Sequence, residues 1–360
     1  MPSLKIIGKY LDQPMLVAKF SKAVPAILCG GAATVTAVNT FRAPEGQKSK
    51  VCVQDLCIMT GTVGSALIAT RGLKPFHVDG KKLFKGFAGL SDNVCPKALK
   101  KEQTELIDEF VSSNPVEKET KSILEKAKEK ILSFDEVKKI HQKLAETENG
   151  DTFLKKLIPD PEPVTSKEIF GEIGRLSIMG LVPVAGGIAG GIAGDRLTEK
   201  EWKEKIPNKI KEGAYQYLAN IFLCNVGAGA AIAIMEKMKV KSKPVKAAGM
   251  IAGIVLTGVV GGSAMANYIG KKLIDPIFCK KTEKTDCPKQ KALYSERKPE
   301  LLDIGLHIDD AATVAVLSGL SWIEPALPIL YSVSGYRAGT GYRNGEGKHH
   351  HHHKKLQTVG

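Results

Sequence analysis

Apolar residues in this chain are gathered into long uncharged runs and do not alternate with polar positions. The runs are residues 23–41, 56–70, 176–194, 213–235, 247–270 and 311–336, and Glu324 is the one charge within the last of them. Four unbroken runs reach the roughly 18 residues that an α-helix needs to cross about 30 Å of hydrocarbon. The pattern predicts an all-α, multi-pass membrane protein. A soluble bundle of buried Gly/Ala-rich helices is the alternative.

Small residues recur at every fourth position within two of these runs, which indicates close packing between helices. The predicted helix-packing positions are Gly186, Gly190 and Gly194 in the run 176–194, and Gly258, Gly262 and Gly270 in the run 247–270. An interior glycine costs a helix in water roughly 1 kcal/mol relative to alanine. In a bilayer the same residue lets a second helix approach closely, and van der Waals contact then holds the pair together. The first stripe is similar to glycine-zipper membrane segments over about twenty residues.

The composition divides the chain into seven consecutive parts. They are a basic amphipathic N-terminal segment at 1–22, a hydrophobic helical hairpin at 23–74, a small water-soluble helical domain inserted at 75–164, glycine-rich membrane helices at 165–270, a polar loop at 271–310, a last hydrophobic segment at 311–336 and a disordered basic tail at 337–360. The first part is expected to lie on the membrane surface, with a cleaved signal peptide as the alternative. Within the inserted domain, the capping-box pattern from Ser133 to Glu136 predicts the start of a helix.

Two hydrophobic hairpins share a short sequence pattern. Residues 222–224 and 257–263 echo residues 27–29 and 60–65 at nearly the same separation, which predicts a degenerate internal repeat. If every segment crosses, the two copies have opposite orientations, as in many transporters. Lysine and arginine are not concentrated in alternate connections. Either some hairpins cross only part of the bilayer, which is the hypothesis we favour, or the long loops do not follow the positive-inside rule.

The chain carries a net charge of +14, mainly from lysine in the connections. A basic surface beside apolar helices favours a lipid bilayer with anionic headgroups as the partner. Aromatic residues make up only 6% of the chain and no recognition motif accompanies the lysines, so no nucleic-acid binding is predicted. The small-residue stripes add a homo-oligomer as a second kind of partnership.

Glu324 is the candidate intramembrane acid. A carboxylate inside an apolar run tends to face a cavity, a partner charge or a transport path. Pro325 follows it, so the alternative is a solvated turn between two short helices. The asparagines within or beside the runs are expected to form hydrogen bonds between helices, and they are Asn39, Asn220, Asn225 and Asn267.

The sequence contains none of the phosphate-binding, nucleophile-elbow or zinc-protease motifs that mark common enzymes. It therefore predicts a non-enzymatic protein with no catalytic, cofactor-binding or metal-binding residues. Cys279 and Cys287 flank a lysine-rich loop, and whether they pair depends on the compartment that the loop faces. The run His349–His353 would bind nickel or zinc in any protein, and it is either native or a remnant of a purification tag.

These patterns lead to three functional hypotheses. The leading one is an integral membrane scaffold or self-associating membrane protein, built from glycine-packed hairpins. The first alternative is a transporter or pore that uses the repeated hairpins and Glu324. The second is a protein that is soluble when made and inserts its hairpins into a membrane later.

Overall fold

The computed structural model of the chain describes residues 4–69, 96–145, 147, 149–158, 166–240, 243–278 and 326–341. Every regular element in these ranges is a helix, and no β-strand occurs among them. Five helical stretches are long and apolar enough to cross a membrane: Pro14–Arg42, Lys48–Ile68, Leu176–Thr198, Trp202–Lys237 and Ala248–Phe278. The prediction of an all-helical chain with several membrane-length helices is therefore confirmed.

The N-terminal part of the chain is a short helix followed by a long helical hairpin. Its elements are α1 (Leu4–Leu11), α2 (Pro14–Arg42) and α3 (Lys48–Ala69). Helix α2 passes unbroken through residue 22, where the sequence placed a boundary. Gly46 in the turn of the hairpin has a φ of 83°, a left-handed conformation that glycine adopts without steric cost. This turn brings α3 back along α2 in the opposite direction.

Four shorter helices enclose an apolar core of their own. They are α4 (Pro96–Ser113), α5 (Lys118–Ala127), α6 (Phe134–Leu144) and α7 (Gly150–Leu157). In this core the rings of Phe110 and Phe153 stack with 4.0 Å between their centroids. The capping box at the start of α6 is present, because Ser133 Oγ accepts a hydrogen bond from the N–H of Glu136 and the Glu136 carboxylate accepts one from the N–H of Ser133.

The segment that joins α1 to α2 is attached to this four-helix group. Gln13 Nε2 donates to the carbonyl oxygen of Leu132 at 3.0 Å, and Gln13 Oε1 accepts from the N–H of Leu132 at 2.8 Å. Tyr10 of α1 meets Phe134 of α6 edge to face, with ring centroids 6.0 Å apart. The basic N-terminal segment, which we expected to lie on a membrane surface, thus makes specific protein contacts in these residues.

Helix α8 (Ser166–Thr198) lies at the centre of the apolar helices, with α3 along one side. A 3₁₀ turn leads from it into a continuous helical rod that consists of α9 (Ile206–Tyr217), a π-helical segment (Leu218–Phe222) and α10 (Leu223–Lys237). A second rod runs back beside α10 and comprises α11 (Lys243–Ile254), π-helical turns, α12 (Ser263–Ile269) and α13 (Asp275–Phe278). Helix α14 (Leu327–Thr340) packs on α8 and α9. Both predicted hydrophobic hairpins are present as pairs of helices, namely α2 with α3 and the first rod with the second. That the two pairs are copies of one internal repeat stays a prediction.

Helix α8 has two glycine faces, and each receives a different helix. Gly190 faces α3 so closely that a Cβ built on it would lie 3.0 Å from the Cα of Ile58 and closer still to the carbonyl oxygen of Cys57. Gly191, one residue on, faces α14, where such a Cβ would meet the backbone of Gly339 at less than 3.0 Å. Because the obstructing atoms belong to the backbone, a side chain at either position would push the helices apart.

Several large apolar side chains on the membrane-length helices are more than half exposed. Leu56 and Ile68 on α3 are 57% and 64% exposed. On the second rod, Leu256, Val260 and Ile277 are 69%, 61% and 74% exposed. The apolar bundle thus exposes large apolar side chains on its surface, in addition to the buried apolar cluster that includes Leu176, Met179 and Tyr331.

Candidate functional site

Polar side chains converge at one end of the apolar bundle, where α3, α8, α9 and α14 meet. They surround a cavity of about 430 Å³. Its carboxylates are Asp55, Asp195, Glu199, Glu201 and Glu204, and its cations are Lys205 and Lys209. The cavity therefore has a surplus of negative charge in its wall. It runs from the exposed Glu201 and Glu204 to the buried Asp55.

Close packing at a glycine brings together the first polar side chains of this site. A Cβ on Gly194 would lie 3.0 Å from the Cα of Gln54, so the absence of a side chain at 194 lets α3 approach the end of α8. The Gln54 amide nitrogen then lies 3.0 Å from Asp195 Oδ1, 3.0 Å from Thr198 Oγ1 and 2.9 Å from Glu199 Oε1. These three acceptors all belong to the last turn of α8 and the residue after it, so one amide fixes the end of α8 on α3.

A buried ion pair joins three helices beside the cavity. Lys209 Nζ of α9 lies 3.1 Å from Asp195 Oδ2 of α8, and the same ammonium donates to the carbonyl oxygen of Gly339 in α14. Both charged side chains are only 5% exposed. Two charges removed from water lose their hydration, and only good mutual geometry offsets that loss. Removing either partner would leave the other charge buried without compensation.

Glu199 is the charged hub at the rim of the cavity. Lys50 Nζ lies 2.9 Å from Glu199 Oε1, and Lys205 also forms an ion pair with this carboxylate. Burial by itself would raise the pKa of Glu199, but the hydrogen bonds from Lys205, Lys50 and Gln54 outweigh it and hold the pKa at about 2. Glu199 is therefore ionised at neutral pH and links α3 to the chain segment that follows α8.

Asp55 lies at the buried end of the cavity and is 4% exposed. Asn39 Nδ2 of α2 donates to its Oδ2 at 2.6 Å, and the Tyr336 hydroxyl of α14 donates to its Oδ1 at 3.1 Å. Both donors are neutral, and no cation pairs with this carboxylate among the described residues. Asp55 is thus a buried acid within a membrane-length helix, which is the feature that the sequence placed at Glu324.

A column of buried polar side chains continues along α9 into the bundle. Gln216 Nε2 donates to Glu212 Oε1 at 2.7 Å, and Asn220 Nδ2 donates to Gln216 Oε1 at 2.9 Å. The three residues are at most 1% exposed, and Arg337 of α14 lies 3.9 Å from the Glu212 carboxylate. Their spacing of four places them on one face of the rod. Asn225, beyond the π-helical segment, is also 1% exposed, and its Nδ2 finds no hydrogen-bond acceptor within the described chain.

The glycines predicted to pack helices occupy different surroundings. Gly186, Gly190 and Gly194 all face α3. Gly258 and Gly262 face the first rod, where a Cβ on Gly258 would lie within 3.0 Å of Cys224 in α10 and a Cβ on Gly262 within 3.0 Å of Ala219 in the π-helical segment. Gly270 differs, because a Cβ there would meet only the flexible side chain of Lys211, at 3.7 Å. A spacing of four therefore does not by itself identify the glycines that lie in the tightest contacts.

Sequence reasoning anticipated some of the polar contacts and missed others. Asn39 does bond between helices, whereas the Asn220 amide donates within its own rod. Glu324 lies outside the residues that the structure describes, as do Cys279, Cys287 and the run His349–His353. Asp55 and Asp195 were missed because each adjoins the end of an uncharged run and was counted with the connections. Glu212 adjoins a run in the same way, and Lys209 lies within the connection before it.

No family model, curated protein or solved structure matches this chain. Within the described residues no group of three or more His, Cys, Asp or Glu side chains is arranged to hold a metal ion.

Proposed function

We propose that this chain is a non-enzymatic, multi-pass integral membrane protein whose helices pack as glycine zippers and serve as a scaffold. The observation that carries the proposal is the exposed apolar surface of the membrane-length helices. Large apolar side chains such as Leu256 and Ile68 are exposed on them, while glycines such as Gly61 and Gly190 bring neighbouring helices to backbone contact. Soluble monomers rarely expose so many large apolar side chains, while lipid covers them at no cost.

The contacts around α8 support a scaffold with little internal freedom. Gly186, Gly190 and Gly194 bring α3 to backbone contact, and Gly187 and Gly191 do the same for α14. Gly258 and Gly262 join the two rods in the second half of the chain. Close approach of this kind strengthens dispersion contacts, which are the main attraction between helices in lipid. Gly30 and Gly31 on α2 leave small-residue surface uncovered, since a Cβ on either would meet nothing within 4 Å, and this supports the proposal of a homo-oligomer.

The four-helix group is proposed to be an inserted domain presented to water beside the bilayer. Its helices α5 and α6 are joined by ion pairs on the surface, such as Lys126 to Glu136 at 2.5 Å and Lys143 to Glu117 at 3.2 Å. Exposed ion pairs of this kind suit an aqueous face. The net charge of +14 supports anionic headgroups as the lipid partner.

Extraction of isolated membranes with alkaline carbonate tests the proposal. The full chain should stay in the membrane pellet, because carbonate removes proteins held by charge and leaves those held by lipid-exposed apolar surface. Release into the supernatant would contradict it. A chain that is first found soluble and monodisperse without detergent, and pellets only after membranes are added, would instead support the hypothesis of later insertion.

A transporter or pore is the second candidate, and the buried column of Glu212, Gln216 and Asn220 favours it. Polar side chains inside a membrane-length helix are expensive and often line a path for ions or substrates. Ion flux measured in liposomes separates the two candidates. Flux that is lost in Glu212→Gln, and kept in Glu236→Gln at the end of the same rod, would favour transport. No flux under any imposed gradient would favour the scaffold.

A further inference from the structure

An apolar groove lies between the two helices of the N-terminal hairpin, and it shares no lining residue with the polar cavity. Its volume is about 630 Å³, and its walls are α2 from Cys29 to Phe41 and α3 from Cys52 to Leu67. The residues that line it are apolar except for three threonines, and none of them is charged. No described helix fills this space, so its occupant is a separate question.

Small residues keep the groove open from both sides. On α2, Cys29, Ala33 and Ala37 line it at a spacing of four, which places them on one helical face. On α3, a Cβ built on Gly64 would meet nothing within 4 Å. Gly61 is three residues earlier, and a Cβ there would meet the backbone of α8 at 3.0 Å or less. One glycine face of α3 is therefore covered by a helix, and the other opens into the groove.

The groove is long and narrow. Twelve helical steps separate Cys29 from Phe41 and fifteen separate Cys52 from Leu67, which at about 1.5 Å per step gives a length of about 18–22 Å. The volume divided by this length leaves a mean cross-section of about 30 Å². One alkyl chain needs roughly 20 Å², because carbon atoms in contact lie about 4 Å apart. A helix with its side chains is about 10–12 Å in diameter and needs roughly 80–110 Å². The groove therefore admits a single acyl chain and is too narrow for a helix of a second copy.

Cations stand at the end of the groove that adjoins the turn of the hairpin. Arg42 directly follows Phe41 at the end of α2, and Lys48 begins α3 one helical turn before Cys52. Both cations are terminal residues of membrane-length stretches, which is where headgroups lie if these stretches span a bilayer. Arg42 is exposed and no ion pair joins it to an acid among the described residues, whereas Lys48 pairs with the exposed Glu45. The turn thus carries two cations and one acid, and its surplus charge complements an anion.

We propose that this groove binds one acyl chain of an anionic phospholipid, whose phosphate pairs with Arg42 and Lys48. The guanidinium of Arg42 can donate two parallel hydrogen bonds to the phosphate oxygens. The acyl chain runs from the turn along the apolar walls, and the depth of one leaflet, about 15 Å, fits within their length. This assignment rests on the proposed membrane location. It adds one specifically bound lipid to the general attraction between basic connections and anionic headgroups.

Native mass spectrometry of the full chain in detergent, titrated with phosphatidylglycerol, tests the proposal. Phosphatidylcholine with the same acyl chains is the comparison, because it has the same phosphate but no net charge. We expect one phosphatidylglycerol to be retained per chain, with an affinity about fivefold above that of phosphatidylcholine, which is the usual contribution of one cation near a membrane surface. Equal affinity for the two lipids, or no lipid retained at this stoichiometry, would overturn the proposal.

Variants at the charged end and in the apolar wall, each with a matched control, locate the lipid. Arg42→Gln should weaken phosphatidylglycerol binding about fivefold and remove most of the preference over phosphatidylcholine. Lys22→Gln, which is exposed on the same helix and twenty residues away, should change neither. Gly64→Leu should weaken binding of both lipids by about tenfold or more, because its side chain fills the groove. Gly30→Leu, at an equally open glycine of α2 that does not line the groove, should leave binding unchanged.

The same measurements separate the rival occupant and the membrane proposal from the lipid site. Circular dichroism confirms that the variants fold, and Ala37→Leu on the opposite wall keeps the test decisive if Gly64→Leu does not. Unchanged phosphatidylglycerol binding in Arg42→Gln and in a folded wall variant would place the lipid elsewhere. A dimer that retains no lipid would identify a second copy as the occupant and overturn the assignment. Carbonate extraction is measured in parallel, because a chain that stays in the pellet but retains no phosphatidylglycerol refutes the groove site alone, whereas release of the chain refutes the membrane proposal.

Discussion

The contact between α3 and α8 allows a quantitative prediction, because one glycine of α3 lies in the contact and another faces open space. A Cβ built on Gly61 would lie 3.0 Å from the Cα of Gly190 and 3.1 Å from its nitrogen, with the Gly186 carbonyl oxygen closer still. A Cβ built on Gly64 would meet nothing within 4 Å. Alanine at either position gains about the same helix propensity, up to roughly 1 kcal/mol. The difference between the two variants therefore measures packing alone.

Overpacking of a well-packed contact costs about 1–3 kcal/mol. We expect the overpacking cost of Gly61→Ala to lie near the upper end of this range. Every obstructing atom belongs to the backbone of α8 and cannot rotate away as a side chain could. Gly61→Ala should therefore be about 2–3 kcal/mol less stable than Gly64→Ala. Gly64→Ala itself should equal or slightly exceed the unmodified chain in stability.

Reversible unfolding in mixed micelles, with increasing dodecyl sulfate and helix content followed by circular dichroism, measures both free energies. The unmodified chain and the two variants are compared in the same micelles. Equal stability of the two alanine variants would refute the close approach of α3 and α8. A Gly61→Ala variant more stable than Gly64→Ala would refute the assignment of faces on α3.

Three further predictions concern charge, pH and the four-helix group. Asp195→Asn should lose about 3–5 kcal/mol of unfolding free energy, since Lys209 is then buried without an anion, and adding Lys209→Met should restore most of it; a double variant no more stable than the single one would contradict the buried pair. The folded-state pKa of Glu199 is about 2, against an ordinary 4.5, so its stabilising effect is complete above about pH 4.5 and is lost as the pH falls toward 2. The stability gap between the unmodified chain and Glu199→Gln should close over that range, and a gap independent of pH would show that the ion pairs do not form. Phe110→Ala should cost about 3–5 kcal/mol and release the four-helix group to limited proteolysis before the apolar bundle unfolds, whereas simultaneous cleavage would indicate one cooperative unit.

The sequence predicted the helices well because hydropathy and length are local properties. The run 176–194, for example, needs no knowledge of its neighbours to be recognised as membrane-length. The capping box at Ser133 is local too, since the partner lies three residues away. These features depend on residues within a few turns of one another, and the structure retains them.

The polar site could not be predicted in the same way, because it depends on how separate helices meet. Asp55 adjoins an uncharged run and was counted with the connection before it, yet it is buried where α3 meets two other helices, which contribute Asn39, 16 residues away, and Tyr336, 281 residues away. The two faces of α8 illustrate the same limit. The spacing of four predicts one glycine stripe, but only the packing reveals that Gly187 and Gly191 receive a different helix from Gly186.

The central claim is that lipid covers the outward faces of the membrane-length helices, and spin-label accessibility tests it most directly. A nitroxide is attached to single cysteines placed at Leu256 and at Ile68, which are 69% and 64% exposed, and at the turn residue Glu45 as an aqueous control. In liposomes, labels at the first two positions should collide frequently with dissolved oxygen, which concentrates in the bilayer, and rarely with a water-soluble nickel chelate. Frequent collision with the nickel chelate at Leu256 and Ile68, equal to that at Glu45, would contradict the account.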